Sequence, residues 1–186
     1  NWTGDNILKL NLINNLLTND DDNDPDVNLL QPNVKPSDYY MTYDINNITC
    51  ISDFSLIHIN ARSLNRNIDA LLLFLSSISH HFTVIVITET WTNINNEATL
   101  HIPGYTRHLK SRPNGRGGGI AIYVHNSSSF VIRNDLEMFA CDSFEFACVQ
   151  LSNVSGSKIT VGAVYRPPNT DIYQFNDNYT KILHKL

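Results

Sequence analysis

Five consecutive β-branched residues, Val84-Ile85-Val86-Ile87-Thr88, most limit what this chain can fold into. Such side chains lose rotamer freedom in helices and fit a pleated surface, so the run reads as a buried strand. Upstream, residues 54–60 alternate apolar and polar side chains, the period of another strand. Between the two lies a Leu-rich stretch, residues 68–78, which reads as a helix with Asn65 or Asn67 as its cap. Strand, helix and strand of these lengths make a parallel pair joined by a crossover.

Shorter strand signals follow at 105–109, 119–125, 130–133, 144–151 and 158–165. Turn residues separate them: Pro113-Asn114-Gly115, Asn126-Ser127-Ser128 and the stretch 153–157. Pro167-Pro168 stops the last strand, and residues 171–186 begin a second helix. A β-α-β start followed by antiparallel strands predicts a layered α/β sandwich.

Residues 1–53 have a different texture. They hold 11 of the 24 Asn residues and the acidic run Asp20-Asp21-Asp22-Asn23-Asp24-Pro25-Asp26. This part carries nine acids and two bases; residues 54–186 carry nine acids and eleven bases. The net charge of -5 therefore belongs to the first part, and a slightly basic remainder does not argue against nucleic acid. The acidic run predicts a disordered tail, with a short helix over 6–17 from its spaced Ile and Leu residues. The length, 186 residues, suits one domain plus that tail. Beginning at Asn1, the chain reads as a fragment. No apolar run approaches a membrane span and no secretory pattern is present, so an intracellular protein of nucleus or cytoplasm is expected. Cys50, Cys141 and Cys148, odd in number and without CxxC spacing, read as reduced thiols.

Three polar residues finish apolar strands: Asn60, Glu89 and Tyr165. Strand ends are where side chains from different elements converge in layered α/β folds. A carboxylate there suits a hard cation such as Mg²⁺, a neutral Asn orients groups without repelling phosphate, and a Tyr hydroxyl donates to a phosphate oxygen. Polar residues also commonly finish strands with no further role. The Gly-rich segment 112–119 lacks the Gly-Lys-Ser/Thr ending of a nucleotide loop. It reads as a turn needing positive φ, alone or with a DNA-backbone contact. Arg107, Lys110, Arg112 and Arg116 cluster there beside Tyr105, a patch able to neutralise phosphates. Trp91 is read as a packing residue or a base-stacking one. His58 reads as a sheet-face histidine and His184 as a helix-surface one.

Five motifs occur in order: His58-Ile59-Asn60-Ala61-Arg62-Ser63-Leu64, Ile87-Thr88-Glu89-Thr90-Trp91, Ile102-Pro103-Gly104-Tyr105, Arg116-Gly117-Gly118-Gly119-Ile120-Ala121-Ile122-Tyr123-Val124, and Val164-Tyr165-Arg166-Pro167-Pro168-Asn169. Together they resemble the N-terminal half of the endonuclease domain of non-LTR (LINE-type) retrotransposons, in the endonuclease/exonuclease/phosphatase superfamily. The resemblance covers about residues 54–180. It implies a partial α/β sandwich, mainly its first sheet and flanking helices. It further implies catalytic roles for Asn60, Glu89 and Tyr165, with Glu89 binding Mg²⁺, and DNA contacts by Tyr105, Arg112, Arg116 and Arg166. The implied activity is Mg²⁺-dependent nicking of DNA that primes reverse transcription, with DNA and a reverse transcriptase as partners.

The resemblance also implies a Gly-Asp-x-Asn motif after the Tyr strand and a Ser-Asp-His motif near the end; this sequence has neither. The expectation is therefore a domain without its C-terminal half, inactive or nearly so alone. One face of its first sheet is expected to lack cover, leaving Val84, Val86, Ile120, Ile122, Val161 and Ala163 partly exposed. Two other readings are a non-catalytic DNA- or protein-binding module and a phosphatase of the same superfamily.

Overall fold

A computed structural model of the chain describes residues 9–11, 54–92, 99–112, 117–140, 143–152 and 156–186. The sequence pair of strands is present as β2 (Leu56–Asn60) and β3 (Val84–Thr88), parallel and in register from Leu56↔Val84 to Asn60↔Thr88. The crossover is helix α1 (Leu64–Ser77). Antiparallel strands β5 (Ile120–His125) and β4 (Tyr105–Lys110) extend the sheet beyond β3. Beyond β2 lies β1 (Lys9–Asn11), giving the order β1-β2-β3-β5-β4.

β1 corrects the helix expected over 6–17: its three residues pair parallel with β2, Lys9↔Leu56 to Asn11↔His58. Asn is a poor helix former, and the edge of β2 offers backbone partners that an isolated short helix lacks. The rest of that segment, the acidic run, Cys50 and Cys141 lie outside the described residues.

α1 begins one turn earlier than its Leu-rich stretch suggests. Leu64 is wholly buried and extends the apolar row through Ile68, Leu71 and Leu75. The cap is Ser63, at φ 84 and without a side-chain cap bond, rather than Asn65 or Asn67. Backbone bonds stand in for the missing cap: Ser63 N donates to Glu89 O (2.9 Å) and Leu64 N to Thr90 O (2.9 Å). Asn67 instead donates backward to Ala61 O at 2.8 Å. α1 covers the sheet face made by Ile57, Ile59, Ile85, Ile87, Ala121 and Tyr123.

The opposite face is also covered, which overturns the expected exposure. β6 (Ser129–Ile132), β7 (Met138–Ala140), β8 (Phe144–Ser152) and β9 (Lys158–Tyr165) form a second antiparallel sheet. β8 pairs with β9 along one edge and with β6 and β7 along the other. Its inward residues Ala147, Val149 and Leu151, with Val161 and Ala163 of β9, meet Val84, Val86, Ile120, Ile122 and Val124. All six residues expected to be exposed are buried, because the chain itself supplies both layers.

Helix α2 (Ile172–Leu183) starts at Asp171, whose side chain accepts from Tyr173 N at 3.0 Å. Ile182 and Phe175 cover the outer face of the second sheet against Phe144, Phe146 and Cys148. Burial pushes the Cys148 thiol up to about 11, the behaviour of an inert core thiol. The architecture is thus helix, sheet, sheet, helix. Among the described residues no helix is long and apolar enough to cross a membrane.

Ile122→Ala is expected to cost about 2–5 kcal/mol, because Ile122 fills the space between the sheets. Val131→Ala, on a residue 58% exposed in β6, should stay within about 0.5 kcal/mol. Urea unfolding of both variants checks this; equal small losses would mean that the layers do not meet.

Candidate active site at the strand ends

The parallel register ends β2 and β3 side by side, with Asn60 opposite Thr88 and Glu89 one residue further. Glu89 takes φ 53 and turns the chain out of the sheet. Its flanks are held by neighbouring backbone: Thr90 N donates to Gly119 O (3.3 Å) and Trp91 N to Gly118 O (3.0 Å). Arg62, Ser63, Glu89, Trp91 and Asn169 are the described non-glycine residues with positive φ. The first four flank the two strand ends and the fifth follows β9. Conformations that cost energy concentrate where structure serves a site.

Glu89 Oε1 accepts two hydrogen bonds, from Asn60 Nδ2 at 3.1 Å and from Tyr165 OH at 3.1 Å. The three strand-end residues singled out in the sequence are therefore in direct contact, with β2 and β3 from one sheet and β9 from the other. Arg62 N donates to Asn60 Oδ1 (3.3 Å), which leaves the Asn60 amide nitrogen aimed at the carboxylate. Burial, with the nearby Glu89 charge, drives the Tyr165 hydroxyl far above its ordinary value, so it is a proton donor at neutral pH.

Behind these residues lies a feature absent from the sequence reading. Glu145 stands opposite Tyr165 in the β8–β9 register and is wholly buried. Its Oε1 accepts from Arg112 Nε, and its Oε2 accepts from Gly119 N at 2.7 Å. Burial raises its carboxyl, opposed by the hydrogen bonds from Arg112 and Gly119. The available signal was an acid inside the apolar run Phe144-Glu145-Phe146-Ala147, since buried acids need partners. Gly117, Gly118 and Gly119 all have positive φ. A Cβ on Gly118 would collide with Arg112 Nε and Glu145 Oε1, and one on Gly119 with Thr90 Oγ1. The glycine run is thus a close-packed turn around a buried ion pair.

The described bases of the basic cluster have partners within the fold. Arg112 is committed to Glu145, its side chain only 13% exposed. Arg107 Nη1 donates to Leu100 O, and Lys110 Nζ pairs with Glu137 at 2.9 Å. Tyr105 pairs with His125 at the far end of β4 from Lys110, about 17 Å away along the strand. Its hydroxyl donates to Phe82 O at 2.8 Å. Long basic side chains bury their stems and find internal acceptors, so clustering in sequence did not make a common surface. Arg116 lies outside the described residues. Arg166 follows Tyr165 directly, is half-buried, and donates to Thr170 O at 3.2 Å. Trp91 is 40% exposed beside Glu89. His58 lies between the sheets with Nε2 3.0 Å from Thr88 Oγ1, and His184 is exposed beyond α2.

Glu89 has the chemistry for Mg²⁺, which binds through one or two carboxylates and keeps waters for substrate phosphate. Both of its hydrogen bonds fall on Oε1, and among the described residues none falls on Oε2. Glu145 does not share that role, because both its oxygens are engaged. Among the described residues no cluster of three metal-ligating side chains occurs. Among the described residues at the strand ends, Glu89 is thus the carboxylate that fits such an ion.

No protein-family model and no curated protein matches the chain. Solved structures do. AP endonuclease LMAP from Leishmania major superposes with a TM-score of 0.53 at 21% identity, over 70% of this chain and 48% of that one. The catalytic domain of Xenopus laevis APE2 gives 0.49 at 13%, over 70% and 55%. D. rerio TDP2, solved with a single strand DNA product, gives 0.47 at 14%, over 70% and 53%. The two-layered α/β sandwich of this chain is the fold it shares with the Leishmania enzyme. The chain spans about half the length of the Leishmania enzyme it resembles.

Burial holds His58 below its ordinary value of 6.5. Its neutral form is favoured in the folded state, so the stability it contributes is present above 6.5 and lost as pH falls below it. His80, depressed by burial and by His81, follows the same sign. Denaturant midpoints should therefore drop between pH 7 and pH 5, with a shallower drop in His58→Gln; an unchanged slope would contradict a buried neutral His58.

Proposed function

We propose that this chain carries part of the catalytic centre of a Mg²⁺-dependent DNA endonuclease of the non-LTR retrotransposon type. The observation that supports it is the convergence of Asn60 and Tyr165, from two different sheets, on one oxygen of Glu89. Strand-end polar residues that merely meet solvent have no reason to meet each other.

On this reading Glu89 would hold the metal, its carboxylate oriented by Asn60 and, before substrate binds, by Tyr165. The bound ion supplies Lewis-acid charge neutralisation at the scissile phosphate. The single Tyr165 hydroxyl hydrogen, given to Glu89 Oε1 in this structure, would turn to a phosphate oxygen once a cation neutralises that carboxylate. Asn60, neutral, lies against the phosphate without repelling it. Arg166 and Trp91, next to Tyr165 and Glu89, would meet a DNA backbone and an unstacked base. The motifs Val164-Tyr165-Arg166-Pro167-Pro168 and Ala61-Arg62-Ser63-Leu64 support the retrotransposon branch over the phosphatase branch. A purely DNA-binding role is less well supported, because Arg107 donates to Leu100 O and Lys110 and Arg112 are paired with Glu137 and Glu145.

In-line attack also needs a base to activate water, a contribution of about 10²–10⁴ in rate. The Asp/His pair that the resemblance implies for this is absent from the 186 residues. The purified chain is accordingly expected to leave supercoiled plasmid intact in Mg²⁺. Strong nicking by it, lost in Glu89→Ala, would overturn the expected inactivity. A longer form that includes the Gly-Asp-x-Asn and Ser-Asp-His motifs should nick, and Glu89→Ala in it should lose about 10²-fold or more. No effect of that substitution would overturn the proposed function itself.

A further inference from the structure

We infer that Glu145 and Arg112 are positioning residues for Glu89, acting through the glycine turn. The inference rests on the reading of Glu89 as a metal-binding carboxylate. The physical chain is continuous. Arg112 Nε holds Glu145 Oε1, and Glu145 Oε2 holds Gly119 N at 2.7 Å. The carbonyls of Gly119 and Gly118 then accept from Thr90 N and Trp91 N. Those two amides follow Glu89, whose φ of 53 is unfavourable for a residue with a side chain. Nothing local keeps Glu89 in that conformation. Fixed partners on both sides do: Ser63 N on Glu89 O from the α1 side, and the glycine turn from the β5 side.

Glu145 also faces the site from the second sheet, opposite Tyr165. One buried carboxylate thereby references the Glu89 corner of the first sheet to the Tyr165 end of the second. Arg112 opposes the upward push of burial on that carboxyl and seats it. A pair serving stability alone needs no such linkage. Apolar side chains of similar volume often replace a buried ion pair without loss.

Two double variants separate the roles. Arg112→Met/Glu145→Leu removes both charges and the acceptor for Gly119 N. Arg112→Met/Glu145→Gln removes both charges but keeps an acceptor oxygen. Amide hydrogen exchange at Thr90 and Trp91 should accelerate about tenfold in the Leu form relative to Ile57 and Ile85 in β2 and β3, and return toward wild type in the Gln form. Mn²⁺ titration followed by the free-ion EPR signal should show the same order, with affinity lowered several-fold in the Leu form only. Equal exchange and equal Mn²⁺ affinity in the two forms would overturn the inference. If the Leu form does not fold, Arg112→Met alone provides the test, since it unseats Glu145 and leaves the backbone of the glycine turn unaltered. Selective acceleration at Thr90 and Trp91 then supports the inference, and uniform or absent acceleration overturns it. Glu89→Gln is the control. If wild type shows no Mn²⁺ binding that Glu89→Gln removes, the functional reading fails, and the exchange data alone decide the positioning claim.

Discussion

A sheet whose central strands are apolar on both faces must be covered twice, and the candidate site exists because this one is. β3 is buried at every position and β5 at all but its last. α1 covers one side; β8 and β9 cover the other. The second cover brings Tyr165 to Glu89, since the two belong to different sheets. The same apolar contact that stabilises the sandwich therefore sets the separation of its polar end. Burial of Val86, Ile122 and Ala163 and the contact at Glu89 Oε1 are consequences of one packing distance.

Several elements were legible because their cause is local. β3 and β9 match their sequence limits, and Pro167-Pro168 ends β9 as its missing donors require. Asn60, Glu89 and Tyr165 were visible because each interrupts an apolar run at its last position. What was not legible depends on partners distant in sequence. Residues 144–151 read as a strand, but nothing in them says that β6, β7 and β9 all join it. β7 is three residues long and gives no period to detect. Glu145 passed as one polar residue among apolar ones, since its partners are 33 and 26 residues away. The basic residues have partners that their spacing does not announce. Arg107 and Lys110 lie on alternate faces of β4 and Arg112 lies beyond its end, so the three reach three different acceptors.

Charge at the site follows from this accounting. Counting bases made residues 54–186 look suited to polyanions. In the fold, Glu137 takes Lys110 and faces His108, while Glu145 takes Arg112. At the strand ends stand the Glu89 carboxylate, the Glu145 carboxylate behind it with Arg112, and Arg62 and Arg166 close in sequence to Asn60 and Tyr165.

The three glycines have a consequence for how this sequence can drift. Tri-glycine usually signals slack that tolerates exchange. Here Gly118 is pressed against the Arg112–Glu145 pair and Gly119 against Thr90, both at positive φ. This plain repeat is among the least replaceable stretches of the described residues. A variant that fills either position must rebuild the ion pair or the Thr90 contact at the same time. Substitutions in the turn and at 90, 112 and 145 are therefore tied into one heritable unit, although they lie in four separate stretches of the chain.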